Sequence, residues 1–170
     1  MNARTATEAP RRNVAGFLLL ALPSLMAAAL LVLAVPYYAG ASARIASLYT
    51  NLAGPADQAL APQVAGYTVD QYHHLATAKL NLAKEEKIEA SFDGQLGQIT
   101  FPAGADAHAD LLIAADVKRI KLIRQQLDAK TLRQLRSFDA KVQAADVVVE
   151  TQVRILRQDL GLPAVSGPLY

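Results

Sequence analysis

Residues 105–160 read ADAHADLLIAADVKRIKLIRQQLDAKTLRQLRSFDAKVQAADVVVETQVRILRQDL, without one glycine or proline. Val117, Ile120, Ile123 and Leu127 recur every three or four residues. So do Phe138, Val142, Ala145, Val149, Val153, Leu156 and Leu160. Such spacing gathers each set on one face of an α-helix. The pattern falters between them, where Leu132 and Leu135 leave the main face of a continuous helix. Thr131, with Gln134 three residues on, reads as a capping box, and Asp128 is a second candidate cap. The break favours two helices folded as a hairpin. One uninterrupted helix is the alternative, and it would need a partner or coiled-coil mate to bury its stripe. Gly161 suits the position just past a helix end, and Pro163 blocks resumption. The tail 163–170 is expected to be extended.

Upstream, Pro102 and Gly104 close a stretch of different character, 87–101. Ile88, Ala90 and Phe92 alternate with polar residues, and Asp93-Gly94 is a turn signal. A short β-hairpin or an irregular excursion fits; two strands alone are barely stable in water and would lie on helices. Before it, Thr68 and Gln71 form another capping box, predicting a helix from there to about Lys87 with Val69, Tyr72, Leu75 or Ala76, Leu80 and Ala83 on its apolar face. Gly54-Pro55, Pro62 and Gly66 predict a loose connection over 54–67. A helix over 41–52 would precede it, with Ile45, Leu48 and Leu52 on one face.

Farther toward the N-terminus, 14–35 reads VAGFLLLALPSLMAAALLVLAV and carries no charge. At about 1.5 Å per residue it reaches roughly 33 Å, enough for a hydrocarbon core of about 30 Å. Pro23 would kink such a helix at most, and Tyr37 and Tyr38 suit the far interface. Arg4, Arg11 and Arg12 precede the run. Positive charge is retained on the cytoplasmic side, so the bulk of the chain is expected to be exported. Ala41-Ser42-Ala43 resembles a signal-peptide cleavage site, but the run exceeds the usual apolar length of a signal, which favours an uncleaved anchor.

The expected organisation is a cytoplasmic segment 1–13, an anchor 14–36, a juxtamembrane helix and linker 37–67, an exported mainly helical domain 68–162 and a tail 163–170. The fold class is mainly α. Aromatics are 6% of the chain and tryptophan is absent, which suits a core of Leu, Ile, Val and Ala packed between helices. Absence of cysteine excludes disulfides, thiolate metal sites and a cysteine nucleophile. Of 17 basic and 15 acidic residues, three arginines and Glu8 precede the apolar run, leaving 14 of each sign beyond it. A neutral exported domain gives no argument for nucleic acid as a partner.

Five sets of residues are weighed for chemistry. His73 and His74 are adjacent, so on a helix they point about 100° apart and cannot readily share a metal or haem. Asp106, His108 and Asp110 share a face only if extended. On a helix, Asp106 is the expected cap and Asp110 complements the dipole in the first turn. Lys118, Arg119, Lys121, Arg124, Lys130, Arg133 and Arg136 spread around a helix, as a solvated face does, although headgroups or an acidic protein face could meet them. Glu85, Glu86 and Glu89 interleave with Lys84 and Lys87 and read as an exposed charged end. Ser42, Ser47, Ser91, Ser137 and Ser166 lie in no G-x-S-x-G or S-x-x-K setting, and no Walker loop or H-E-x-x-H occurs.

No catalytic, cofactor or metal residue is therefore assigned. The pattern implies a single-pass accessory or structural subunit of a bacterial inner membrane. The bilayer would hold 14–35, and a protein partner or a second copy would meet the helices of 105–160. A membrane-tethered ligand-binding or sensor module is the alternative, followed by a small metal-binding protein.

Overall fold

The computed structural model describes residues 15–164, and for 15–39 and 41 the backbone alone. Five helices follow in order: α1 (Ala15–Asp70), α2 (Leu75–Leu96), α3 (Ala103–Leu127), α4 (Leu132–Arg136) and α5 (Asp139–Asp159). No strand occurs among the described residues. The mainly α class follows directly. The chain divides into two units, Met1–Gly40 and Ala41–Tyr170. Every side chain discussed below belongs to the second. The expected anchor at 14–36, its flank 1–13 and the tail from 165 lie outside the residues whose side chains are described. Among the described residues no helix is long and apolar enough to cross a membrane.

The hairpin expected from 105–160 is present, and the single long helix is not. α3 packs against α2 on one side and α5 on the other. Thr131 caps α4, its hydroxyl accepting from the Gln134 backbone N–H at 3.1 Å. α5 closes on Gly161 with φ +67. The Leu162 N–H reaches the Arg157 carbonyl at 2.9 Å and the Gly161 N–H reaches Gln158 at 3.0 Å, which is a complete Schellman motif. Leu162 then folds back onto the cluster that holds Leu156. Gly161→Ala forces a Cβ into the left-handed region, and a loss of about 1 kcal/mol is expected in denaturant unfolding.

Three boundary expectations are corrected. Gly54-Pro55 does not end a helix, and 54–67 is not a loose connection; α1 runs through to Asp70. Ala46, Tyr49, Ala53 and Leu60 are buried at helical spacing across the Gly-Pro pair, and their burial outweighs the lost bond. Pro55 and Pro62 are exposed, as are Asn51 and Gln58, so the carbonyls that the prolines leave unbonded face water. Gly66 has a packing role: a Cβ there would stand 2.6 Å from the Asn81 amide nitrogen, on a side chain held by Asp70 at 3.1 Å. Thr68 is consequently inside α1, its hydroxyl bonded to the Val64 carbonyl, and does not cap a helix.

The second correction concerns 87–101, which holds neither a hairpin nor an excursion up to Leu96. α2 continues through Asp93-Gly94, because Leu82, Glu85, Glu89, Asp93 and Leu96 form one buried face. Third, α3 begins at Ala103, with Pro102 at the N-cap. Asp106 stands in the first turn and is not the cap, and Asp110 falls one turn later.

Two apolar clusters hold the second unit. The larger joins Tyr49 of α1, Leu96 of α2, Leu112 of α3 and Leu156 of α5. The smaller joins Leu82, Ile123 and Leu135. Between chain segments, the Tyr67 hydroxyl donates to Asp139 at 2.7 Å, and the buried Gln126 amide donates to both at 2.8 and 2.9 Å. That network locks α1, α3 and α5 in register.

Candidate functional site

The buried faces of α2 and α3 carry charge where hydrophobic residues would suffice. Glu85, Glu89 and Asp93 follow one another at intervals of four on α2, so they stack on one helix face. Arg119 of α3 lies opposite, its side chain 3% exposed. Its guanidinium donates to Glu85 at 2.6 Å, to Glu89, and to Asp146 of α5. One guanidinium thereby links three helices. The planar fork of arginine suits several carboxylates at once, as the single ammonium of lysine would not.

Asp93 and Asp116 extend the cluster. Both are buried, and each lies within hydrogen-bonding reach of the other. Neither Asp93 oxygen nor Asp116 Oδ1 has a hydrogen-bond donor among the described residues, and a proton on Asp93 would satisfy the contact. Burial pushes Asp93 up to about 8, with the Asp116 charge adding to the shift. Burial also pushes Glu89 up to about 9, against the pull of Arg119 and with help from Asp116 and Glu85. Glu85 and Asp116 are raised for the same first reason, burial, which outweighs Arg119. The Arg119 guanidinium itself is held firmly charged by its carboxylates.

Beside this cluster lies a pocket of about 40 Å³, lined by residues of α1, α2, α3 and α5. Its polar lining is Tyr49, Asp57, Glu89, Asp116 and Arg157. Glu89 Oε2 and Asp116 Oδ1 are buried and have no hydrogen-bond partner among the described residues. At the other side Arg157 faces Asp57 and the Tyr49 hydroxyl. It also donates to the Pro163 carbonyl at 3.2 and 2.9 Å. Burial raises the Tyr49 hydroxyl to about 12, so it stays protonated and neutral. Family models, curated proteins and solved structures offer no match to this chain.

The residues singled out in the sequence are scattered. His73 and His74 are exposed in the turn between α1 and α2. His108 pairs with Asp159 across α3 and α5, while Asp106 and Asp110 face solvent. Among the described residues no three of His, Cys, Asp and Glu are placed to hold a metal ion. Lys118, Lys121, Arg124, Lys130 and Arg133 form the solvated face expected of them, and Arg136 bonds the Gln71 carbonyl at 2.8 Å. Arg119 departs from that run entirely. Glu86 meets Arg124 near the surface at 2.6 Å, but Glu85 and Glu89 are buried, correcting their reading as a charged end. Asp93, Asp116 and Asp146 were not anticipated. Their signal was available as acids at helical spacing among the apolar residues of a buried stripe.

A second concavity opens between α1 and α2. It encloses about 640 Å³, with Leu48, Leu52, Pro55, Ile88 and Phe92 among its apolar walls and Asn51, Lys87, Ser91 and Gln95 among its polar ones.

Proposed function

We propose that the chain is a membrane-tethered accessory subunit whose helical bundle docks a protein partner. The α1–α2 groove carries this reading. It couples an apolar floor to a polar rim, the composition of a protein-binding cleft. Its occupant would be an amphipathic helix of the partner, apolar on one face and polar on the other, laid against Leu52 and Phe92. The stripe of 105–160 is largely committed to the chain's own core through Leu112, Ile123, Val153 and Leu156. Partner contacts through those helices would rely on residues left outside it, such as Leu111, Val117, Val147 and Val148.

The tether is the apolar run 14–35, with its arginine flank on the cytoplasmic side and the bundle exported. Confinement to a membrane surface raises the effective concentration of the bundle near a membrane-bound partner. Leu48→Glu with Ser91→Arg places two charges in the groove at exposed positions. In crosslinked, detergent-extracted membranes this variant is expected to lose its co-purifying partner while keeping the wild-type Tm. Retention of an unchanged partner would overturn docking through this groove.

A further inference from the structure

We propose that the pocket enclosed by α1, α2, α3 and α5 binds a small primary ammonium ion, held by Glu89 and Asp116. Arg119 engages Glu85, Glu89 Oε1 and Asp146. Glu89 Oε2 and Asp116 Oδ1 stay buried on the pocket wall without a donor among the described residues. Residue exposures of 2% and 4% keep bulk water from serving them freely. Once these carboxyls ionise, an unsatisfied buried carboxylate oxygen costs more than an ordinary lost hydrogen bond, so a proton or a cationic donor must serve them.

The shape of the site selects the kind of cation. A bare divalent metal needs several convergent ligands, and no group of three suitable side chains converges among the described residues. An ammonium head has directed N–H donors and is satisfied by acceptors on separate helices. The remaining wall is apolar, with Ala53, Leu60, Leu112 and Val153 able to cover one or two carbons. The volume of about 40 Å³ is little more than that of one water, which sets methyl- or ethylammonium as the upper size limit and shuts out a guanidinium with its tail. Two cations border the site, Arg119 on Glu89 and Arg157 beside Asp57, and the carboxylates around each offset its charge.

Binding would be linked to protons. The ionisable groups facing the pocket or its floor are Tyr49 and Asp57 from α1, and Glu85, Glu89 and Asp93 from α2. Asp116 and Arg119 come from α3, and Asp146 and Arg157 from α5. Glu89 is raised to about 9 and Asp116 is raised as well, both chiefly by burial. Near neutrality an entering ammonium must therefore displace a proton, and affinity rises with pH toward that value.

The test uses the full chain in mild detergent, titrated with ethylammonium chloride and followed by calorimetry and by Tm. Sodium chloride, calcium chloride and ethanol serve as comparisons. Saturable binding of ethylammonium is expected, at least fivefold tighter at pH 8 than at pH 6, with no shift from ethanol or sodium. Asp116→Asn is expected to weaken it at least tenfold while leaving the Arg119 contacts in place. Glu89→Gln is expected to do the same, and Asp116→Asn remains informative if Glu89→Gln fails to fold. No saturable binding, an equal response to calcium, or unchanged affinity in Asp116→Asn would each overturn the assignment. The Leu48→Glu, Ser91→Arg variant should bind ethylammonium as the wild type does, so this site and partner docking fail or stand separately.

Discussion

Replacing Arg119 with methionine is expected to lower the melting temperature of the bundle by about 10 °C or more at pH 8. The guanidinium donates to Glu85 and Glu89 on α2 and to Asp146 on α5. Its removal leaves Glu85 buried with no cation beside it, strips the buried Glu89 of its donor, and leaves Asp146 partly relieved by solvent. Breaking a buried ion pair from one side costs about 3–5 kcal/mol, because the remaining charge keeps its desolvation penalty. For a domain of this size each kcal/mol moves Tm by roughly 3–5 °C. Two controls separate that cause from lost packing. The same variant at pH 5 should lose much less, since the buried Glu85 can then take a proton. Adding Glu85→Gln and Glu89→Gln to Arg119→Met should restore a large part of the loss at pH 8. A variant that melts within 2 °C of the wild type at pH 8 would show that Arg119 is not the electrostatic centre of the fold.

The helices of the bundle were legible where their signals were redundant. Over 105–160, absent glycine and proline, apolar periodicity and the Thr131 cap all agree, and α3, α4 and α5 follow. The same sequence misleads where a local breaker conflicts with a longer stripe. Gly54-Pro55 looks like an end, yet Ala46, Tyr49, Ala53 and Leu60 keep helical phase through it. Asp93-Gly94 looks like a turn, yet Leu82 and Leu96 are 14 residues apart, close to four helical turns, and frame one face.

That second misreading hid the site. Once 87–101 is taken as strands, Glu89 and Asp93 no longer share a face with Glu85. Each acid then looks like a solvated surface charge, which is the usual state of such residues. Arg119 was hidden differently. Its neighbours Lys118 and Lys121 are surface lysines, and only the phase set by Ile120 and Ile123 turns it inward. Which charges a helix buries depends on what the facing helix offers, and that pairing is a tertiary fact with no local signature.

The second large effect is a stability that falls as the solution becomes more alkaline. Glu89 and Asp93 have folded values raised to about 9 and about 8, above the ordinary carboxyl range of the unfolded chain, because burial penalises their charged forms. Between the two ranges the native state holds protons that the unfolded state has released. Stability then decreases with rising pH. The contribution is complete below about pH 4 and is lost as pH rises through 8 to 9. One proton of difference is worth about 1.4 kcal/mol per pH unit. Wild-type Tm is therefore expected to decline from pH 6 to pH 9 by at least about 10 °C, and to flatten above that. Asp93→Asn supplies the proton permanently as an amide N–H toward Asp116. It should raise Tm at pH 9 and reduce the slope, with little change at pH 5. A wild-type Tm that is level or rising between pH 6 and 9 would mean that Asp93 and Glu89 ionise freely in the folded chain. The shared proton between Asp93 and Asp116 would then be lost with it, whereas the Arg119 contacts would survive, since ionised partners only strengthen them.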